Sequence, residues 1–131
     1  MPLIIILGEI MAEISGKMYK LNNITSDYKQ SLEWITPNGE SVNLYLEYLP
    51  NQLGWFLNLK YQDKEIRKLR ITTNANILRA YNSYLPFGLL CRTDDMGEPI
   101  GLNDFASGYA QLCILTRQEC KKLEDNYYVK V

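Results

Sequence analysis

A chain of 131 residues with 47% apolar and 22% charged side chains can bury a core of its own and is no disordered tail. Its 14 basic and 15 acidic residues leave a net charge of -1, which removes the electrostatic case for a nucleic-acid or anionic-membrane partner. With no histidine anywhere, Ser-His and Cys-His nucleophile pairs are excluded and the commonest metal ligand is missing.

The first element is Leu3-Ile4-Ile5-Ile6-Leu7, bounded by Pro2 and Gly8. The run is far too short to span a bilayer and lacks the basic region and cleavage site of a secretory signal. It reads as a β-strand, in a protein made and used in a cytosol. Two readings of a strand apolar on both faces compete: pairing with its own sheet, or addition to a neighbouring subunit's sheet. Glu9 to Ser26 is mixed, with Gly16, Asn22 and Asn23, and has room for a short strand around Lys17 to Leu21.

From Tyr28 the pattern sharpens into a four-strand antiparallel meander reaching Thr73. Tyr28, Gln30, Leu32 and Trp34 share one side of a strand, and Thr36-Pro37-Asn38-Gly39 supplies the turn chemistry after it. Val42, Leu44, Leu46 and Tyr48 then alternate with Asn43, Tyr45 and Glu47, the period of a half-buried strand. Leu49-Pro50-Asn51-Gln52 reverses the chain, and Trp55, Leu57, Leu59 and Tyr61 form the next apolar face opposite Phe56, Asn58 and Lys60. A turn at Gln62-Asp63-Lys64-Glu65 leads to Arg67, Leu69, Ile71 and Thr73 on one side of the last strand. Ile66 falls out of phase and marks a candidate bulge. The basic residues Lys64, Arg67, Lys68 and Arg70 form either a solvated strand face or a local patch.

Downstream, Asn76 is placed to cap a helical turn over Ile77 to Tyr81, and Tyr84-Leu85-Pro86 makes a bend. Phe87 to Thr93 and Tyr109 to Leu115 read as strands, with Ala110, Leu112 and Ile114 on one face of the second. Thr116-Arg117-Gln118-Glu119 is a capping box that starts a short helix reaching about Asp125. The expected fold is mainly β: an antiparallel meander forming a small sandwich or partly open barrel, with a short C-terminal helix. The expected organisation is a single domain over 1–131, with a strand and extension at 1–26, a β core at 27–116 and a helix and tail at 117–131.

Chemistry-bearing patterns are sparse. Cys91, Cys113 and Cys120 are odd in number and lack C-x-x-C spacing, so they read as core residues and not as disulfides or zinc ligands. The acids Asp94, Asp95, Glu98 and Asp104 beside Gly97 and Pro99 do not follow the order of a calcium loop. No catalytic, cofactor-binding or metal residue is assigned. An enzyme using two carboxylates across a cleft is the least favoured class. The ten Tyr, two Trp and three Phe leave a stacking platform on an OB-like barrel as the alternative, a binding module for single-stranded nucleic acid or oligosaccharide. Tyr48, Trp55 and Tyr61 fall on core faces. Tyr45 and Phe56 fall on the opposite faces and can meet a second sheet or another subunit. The candidate interface residues are therefore Leu3, Ile4, Ile5, Ile6, Leu7, Tyr45, Phe56, Tyr127 and Tyr128, because aromatic and strand-edge groups suit repeated contacts between subunits.

The order of these features resembles a known family. Tyr45-Leu46-Glu47-Tyr48, Gly54-Trp55-Phe56-Leu57-Asn58-Leu59, a polar turn and Ile71 are followed by Asn76-Ile77-Leu78 and Tyr81. Phe87-Gly88-Leu89-Leu90, the Asp94 to Pro99 loop and Gly108-Tyr109-Ala110-Gln111-Leu112 come next, and Met1-Pro2-Leu3-Ile4-Ile5-Ile6 precedes them all. Over roughly residues 28–116 this resembles the small baseplate plug proteins of contractile-tailed bacteriophages. The segment Gly8 to Ser26 is longer than that family usually has, and the C-terminal capped helix looks like an addition. The resemblance implies a non-enzymatic virion component where the tail tube meets the central hub, assembled in the host cytoplasm. It implies small rings that narrow or close the channel, with partners among further copies and tail-tube, hub and baseplate proteins. No cofactor, membrane or specific nucleic acid is expected.

Overall fold

The computed structural model describes residues 19–36 and 38–126. The expected strand Leu3–Leu7, the turn residue Pro37, and Tyr127 and Tyr128 lie outside the described residues.

The meander forms as its alternation dictates. β2 (Lys29–Ile35), β3 (Ser41–Leu49), β4 (Gly54–Tyr61) and β5 (Lys64–Arg70) pair in sequence order as one antiparallel sheet. Val42, Leu44, Leu46 and Tyr48 of β3 and Trp55, Leu57, Leu59 and Tyr61 of β4 all point to the buried side, because side chains two apart share a face. The turns carry the anticipated chemistry: Gly39 has φ +83°, and Leu53 closes the Pro50–Gln52 turn with φ +48°. The third turn is tighter than expected, with only Gln62 and Asp63 between strands, and Gln62 takes φ +54°.

The bulge sits in β5. Leu57 pairs with Leu69 and Leu59 with Ile66, so β5 holds one more residue than β4 over that interval. Lys68 absorbs the extra residue with φ +51°, and its N–H, displaced from the ladder, donates to the side-chain Oδ1 of Asn58 at 2.7 Å. The displacement corrects one expectation. Ile66 is buried and Leu69 half-buried, while Arg67 is exposed and does not share their side. Tyr28 also differs: it lies just before β2 and is exposed, although Leu32 and Trp34 two and three turns of the pleat further on are buried.

The second sheet has the order β1-β7-β6, from β1 (Tyr19–Lys20), β6 (Phe87–Thr93) and β7 (Ala110–Thr116). It packs face to face on the first, and one continuous core runs between them. Trp34 and Tyr61 of the first sheet both meet Phe87 of β6 edge to face, with ring centroids 5.7 and 5.4 Å apart. Such contacts add about 0.5–1.5 kcal/mol each beyond area burial. The chain crosses between sheets at Ile71 to Ile77. Ile71 N–H still donates to Trp55 O at 2.9 Å, whereas Asn74 already bridges Cys91 on the far side. Of the two forms expected, the sandwich is the one adopted: no described strand of one sheet pairs with a strand of the other, and the barrel does not close.

β6 and β7 are buried on both faces because a helix, α1 (Arg117–Asn126), covers their outer side. Leu90, Cys113 and Leu115 meet Cys120 and Leu123 there in a second small core. The capping box closes as expected: Thr116 N–H donates to Glu119 Oε1 at 2.9 Å, and Glu119 N–H to Thr116 Oγ1 at 3.2 Å. Asn76 does more than cap its own turn. Its Oδ1 accepts from the N–H groups of both Leu78 and Leu89, each at 3.0 Å, while its Nδ2 faces Asn82 Oδ1 and Cys120 Sγ. This buried amide ties the crossing, β6 and the helix together. Gly88 leaves the room for it, since a Cβ there would stand 2.7 Å from Asn76 Oδ1.

Candidate subunit interface

The first sheet turns one face to the core and the other outward. Alternation sends Ser31, Tyr45 and Asn58 to the same outer row, with Tyr45 across from both Ser31 and Asn58. Tyr45 is 45% exposed and forms a wall of a groove of about 430 Å³, whose other lining side chains include Lys29, Ser31, Glu47 and Asn58. Lys29 and Glu47 approach to 3.6 Å beside it. Phe56 lies on this face too, but its own chain covers it. The Arg70 guanidinium sits 5.2 Å from the ring centroid and donates to the carbonyls of Gln52 and Leu53, both at 2.9 Å. Gly54 allows that approach, as a Cβ there would fall 2.6 Å from Arg70 Nη2. The second sheet lies behind the opposite face, so packing of Tyr45 and Phe56 against it is excluded. Of the two, Tyr45 is the open one.

The edges of this sheet differ physically. β5 is interrupted by the bulge and three of its four basic side chains are engaged nearby: Lys64 with Asp63, Arg67 with Glu65 at 2.9 Å, Arg70 as above. The Glu65 carboxyl is held below its usual range by the Arg67 hydrogen bond. These residues therefore form a charge-compensated, irregular edge, which is how sheets discourage further pairing. β2 is regular over seven residues and carries no bulge or positive φ.

Several exposed apolar groups lie near β2 and were not singled out as interface residues in the sequence. Tyr19 is 58% exposed with its ring 6.2 Å from that of Trp34, and Ile35 is 52% exposed at the strand's end. Tyr28 rests edge-on against Tyr48 at the other end. The signal for Ile35 was present as an apolar residue in the polar phase of its strand; for Tyr19 there was none, because its neighbour is fifteen residues away. Leu53, Tyr84 and Ile100 are exposed singly elsewhere.

Several other polar groups serve the fold. Tyr48 Oη donates to Ile100 O at 2.6 Å and Trp55 Nε1 to Gly101 O at 3.3 Å, so core aromatics anchor the long loop by their polar ends. Tyr61 Oη donates to Glu40 Oε1 at 2.9 Å, and burial followed by that carboxylate raises its phenol above the ordinary value. In the acidic loop Asp95 accepts from Tyr109 Oη and from Gly97 N–H, which lowers its carboxyl. Glu98 accepts from Thr73 N–H and Asp104 from Gly101 N–H. These acids face loop amides, and among the described residues no three metal-binding side chains converge. The three cysteines are free thiols in apolar surroundings. Burial pushes Cys113 and Cys120 up to about 11 and raises Cys91 as well, which makes them poor nucleophiles at neutral pH. Among the described residues no helix is long and apolar enough to cross a membrane.

The comparisons with known proteins agree with the order of features along the chain. A family model described as cyanophage baseplate Pam3 plug gp18 matches residues 18–117. Its span begins beside β1, takes in both sheets and stops at the first residue of α1. No curated protein matches the chain.

Proposed function

The chain belongs to the baseplate plug family, and from that premise we propose that it acts as a plug-like structural subunit where the tail tube meets the central hub. In this reading several copies stand around the tail axis and narrow or close the channel, and the chain contributes surfaces and stiffness without catalysis. Its neighbours are further copies and the tube, hub and baseplate proteins around them. The carrying observation is the family match across both sheets, from residue 18 to residue 117.

The architecture supplies what such a part requires. Two sheets locked by aromatic contacts resist bending, and a solvated outer face with one open Tyr provides a surface for directed contact. Purified particles test the reading. Peptide counting by mass spectrometry should find the protein in a small fixed ratio to the hub, and density for it should lie on the tail axis between tube and hub. Absence from washed particles, or a position at the baseplate periphery, would refute it.

A further inference from the structure

A groove between α1 and the bend before β6 joins an apolar floor to uncompensated positive charge. It holds about 310 Å³ and its lining is mainly apolar, with Leu85, Phe87 and Cys120 at the floor and Arg117, Lys121 and Glu124 along one wall. Those three wall residues form one stripe, because positions four and three apart are neighbours on a helix surface. Their charges are not treated alike. Glu124 is bound by Arg79 at 2.8 Å and accepts from Asn82. Arg117 and Lys121 make no hydrogen bond or ion pair. The stripe is therefore positive toward the start of α1 and neutralised toward its end.

The stability of the helix does not call for this arrangement. Acids are favoured near a helix N-terminus and cations near its C-terminus. α1 has Arg117 in its first turn and no basic residue in its last, where Glu124 and Asp125 lie instead. Glu119, the one acid of the first turn, is committed to the capping box. Arg117 and Lys121 are moreover a like-charge pair four residues apart, which weakens a helix. All of α1 after Arg117 lies beyond the residues matched to the family, so this wall of the groove stands outside the family core.

We propose that the groove docks an acidic–apolar segment of a neighbouring tail protein, one apolar side chain entering over Leu85 and Phe87 and a flanking carboxylate pairing with Arg117 and Lys121. This rests on the reading of the chain as a baseplate plug and specifies the chemistry of one of its contacts. Charge complementarity selects the carboxylate, since a planar guanidinium can take both of its oxygens and the ammonium one turn on adds a second donor. The apolar stems of Arg117 and Lys121 extend the floor to the rim. The volume lies at the lower end of binding pockets, roughly 300–1,000 Å³, which suits a single anchoring side chain.

Washed particles treated with a water-soluble carbodiimide test the contact, because the reagent joins an amine to a carboxylate only where the two touch. Lys121 is expected to be joined to an Asp or Glu of another protein, with an apolar residue beside that acid. The Lys29–Glu47 pair, 3.6 Å apart, reports that the reaction has worked. Particles in which that pair is linked while Lys121 is unlinked, or linked only to acids of this chain, would overturn the proposal. A second arm changes the charges. Arg117→Gln with Lys121→Gln should melt within a few degrees of the parent, as roughly expected for a surface change, yet enter particles at least tenfold less. Arg117→Lys with Lys121→Arg keeps both charges and should enter at close to the parental level. Parental entry of the neutral variant, or equal loss with the charge-keeping one, overturns the proposal. If the parent chain itself is missing from particles, the plug reading fails separately.

Discussion

Replacing Gly88 by alanine tests the junction that holds the crossing, β6 and the helix together. The new methyl carbon would stand 2.7 Å from Asn76 Oδ1 and 2.7 Å from Cys120 Sγ, distances that real Cβ contacts do not show. Asn76 cannot simply withdraw. Its oxygen holds the buried N–H groups of Leu78 and Leu89, and retreat leaves at least one of them unpaired. Overpacking of this kind costs about 1–3 kcal/mol, and an orphaned buried amide about 1–3 more. Relief of glycine's flexibility in the unfolded chain returns about 0.4–1 kcal/mol. The net expectation for Gly88→Ala is a loss of about 1–6 kcal/mol, a sizeable part of the roughly 5–15 kcal/mol typical of a folded domain. Urea unfolding followed by fluorescence of the buried Trp34 and Trp55 measures it, with the midpoint falling and the slope unchanged. Cys120→Ala removes one of the two contacts, so the same substitution should cost about 1 kcal/mol less in that background. A Gly88→Ala protein within about 0.5 kcal/mol of the parent, or an equal cost with Cys120 truncated, would refute the packing described here.

Leu57→Ala, at a fully buried site, should lose about 2–5 kcal/mol in the same assay, whereas Tyr45→Ala should change stability by less than about 0.5 kcal/mol. Thr116→Ala opens the capping box and should cost about 0.5–2 kcal/mol, with loss of helical circular dichroism before the β signal changes. Iodoacetamide at neutral pH should leave all three thiols unmodified in the native chain and label three on unfolding, which mass spectrometry reads directly. Because burial raises Cys113 and Cys120 from 9.0 to about 11, the unfolded chain releases these protons first. Their contribution is complete below pH 9 and is lost as pH rises from 9 toward 11, so the melting temperature should fall over that window. A melting temperature that stays constant to pH 11 would contradict the burial of these groups.

What the sequence determined by itself was short-range. Strand alternation from Val42 to Tyr61, the Gly39 and Pro50 turns, the Phe87–Thr93 strand and the Thr116–Glu119 box all follow from periods of two and from side chains bonding to amides a few residues away. Each is decided within one element, and each is found in the structure. Even the misplaced phase of Ile66 was visible, although which residue absorbs it was not: Lys68 does so because Asn58, on the neighbouring strand, can satisfy its amide. The tertiary structure alone decided what lies against each face. Phe56 read like Tyr45 in the sequence, yet Arg70 covers one and not the other. Asn76 read as a local cap, yet it bonds across to β6, because the crossing brings residues 76 and 89 together. The same holds for the edge of the first sheet: the alternation of β2 is plain in the chain, but which of its residues turn their backbone groups outward depends on its pairing with β3. Local conformation is set by neighbours in sequence, whereas burial, edges and covers are set by neighbours in space, and those exist only once the chain has closed on itself.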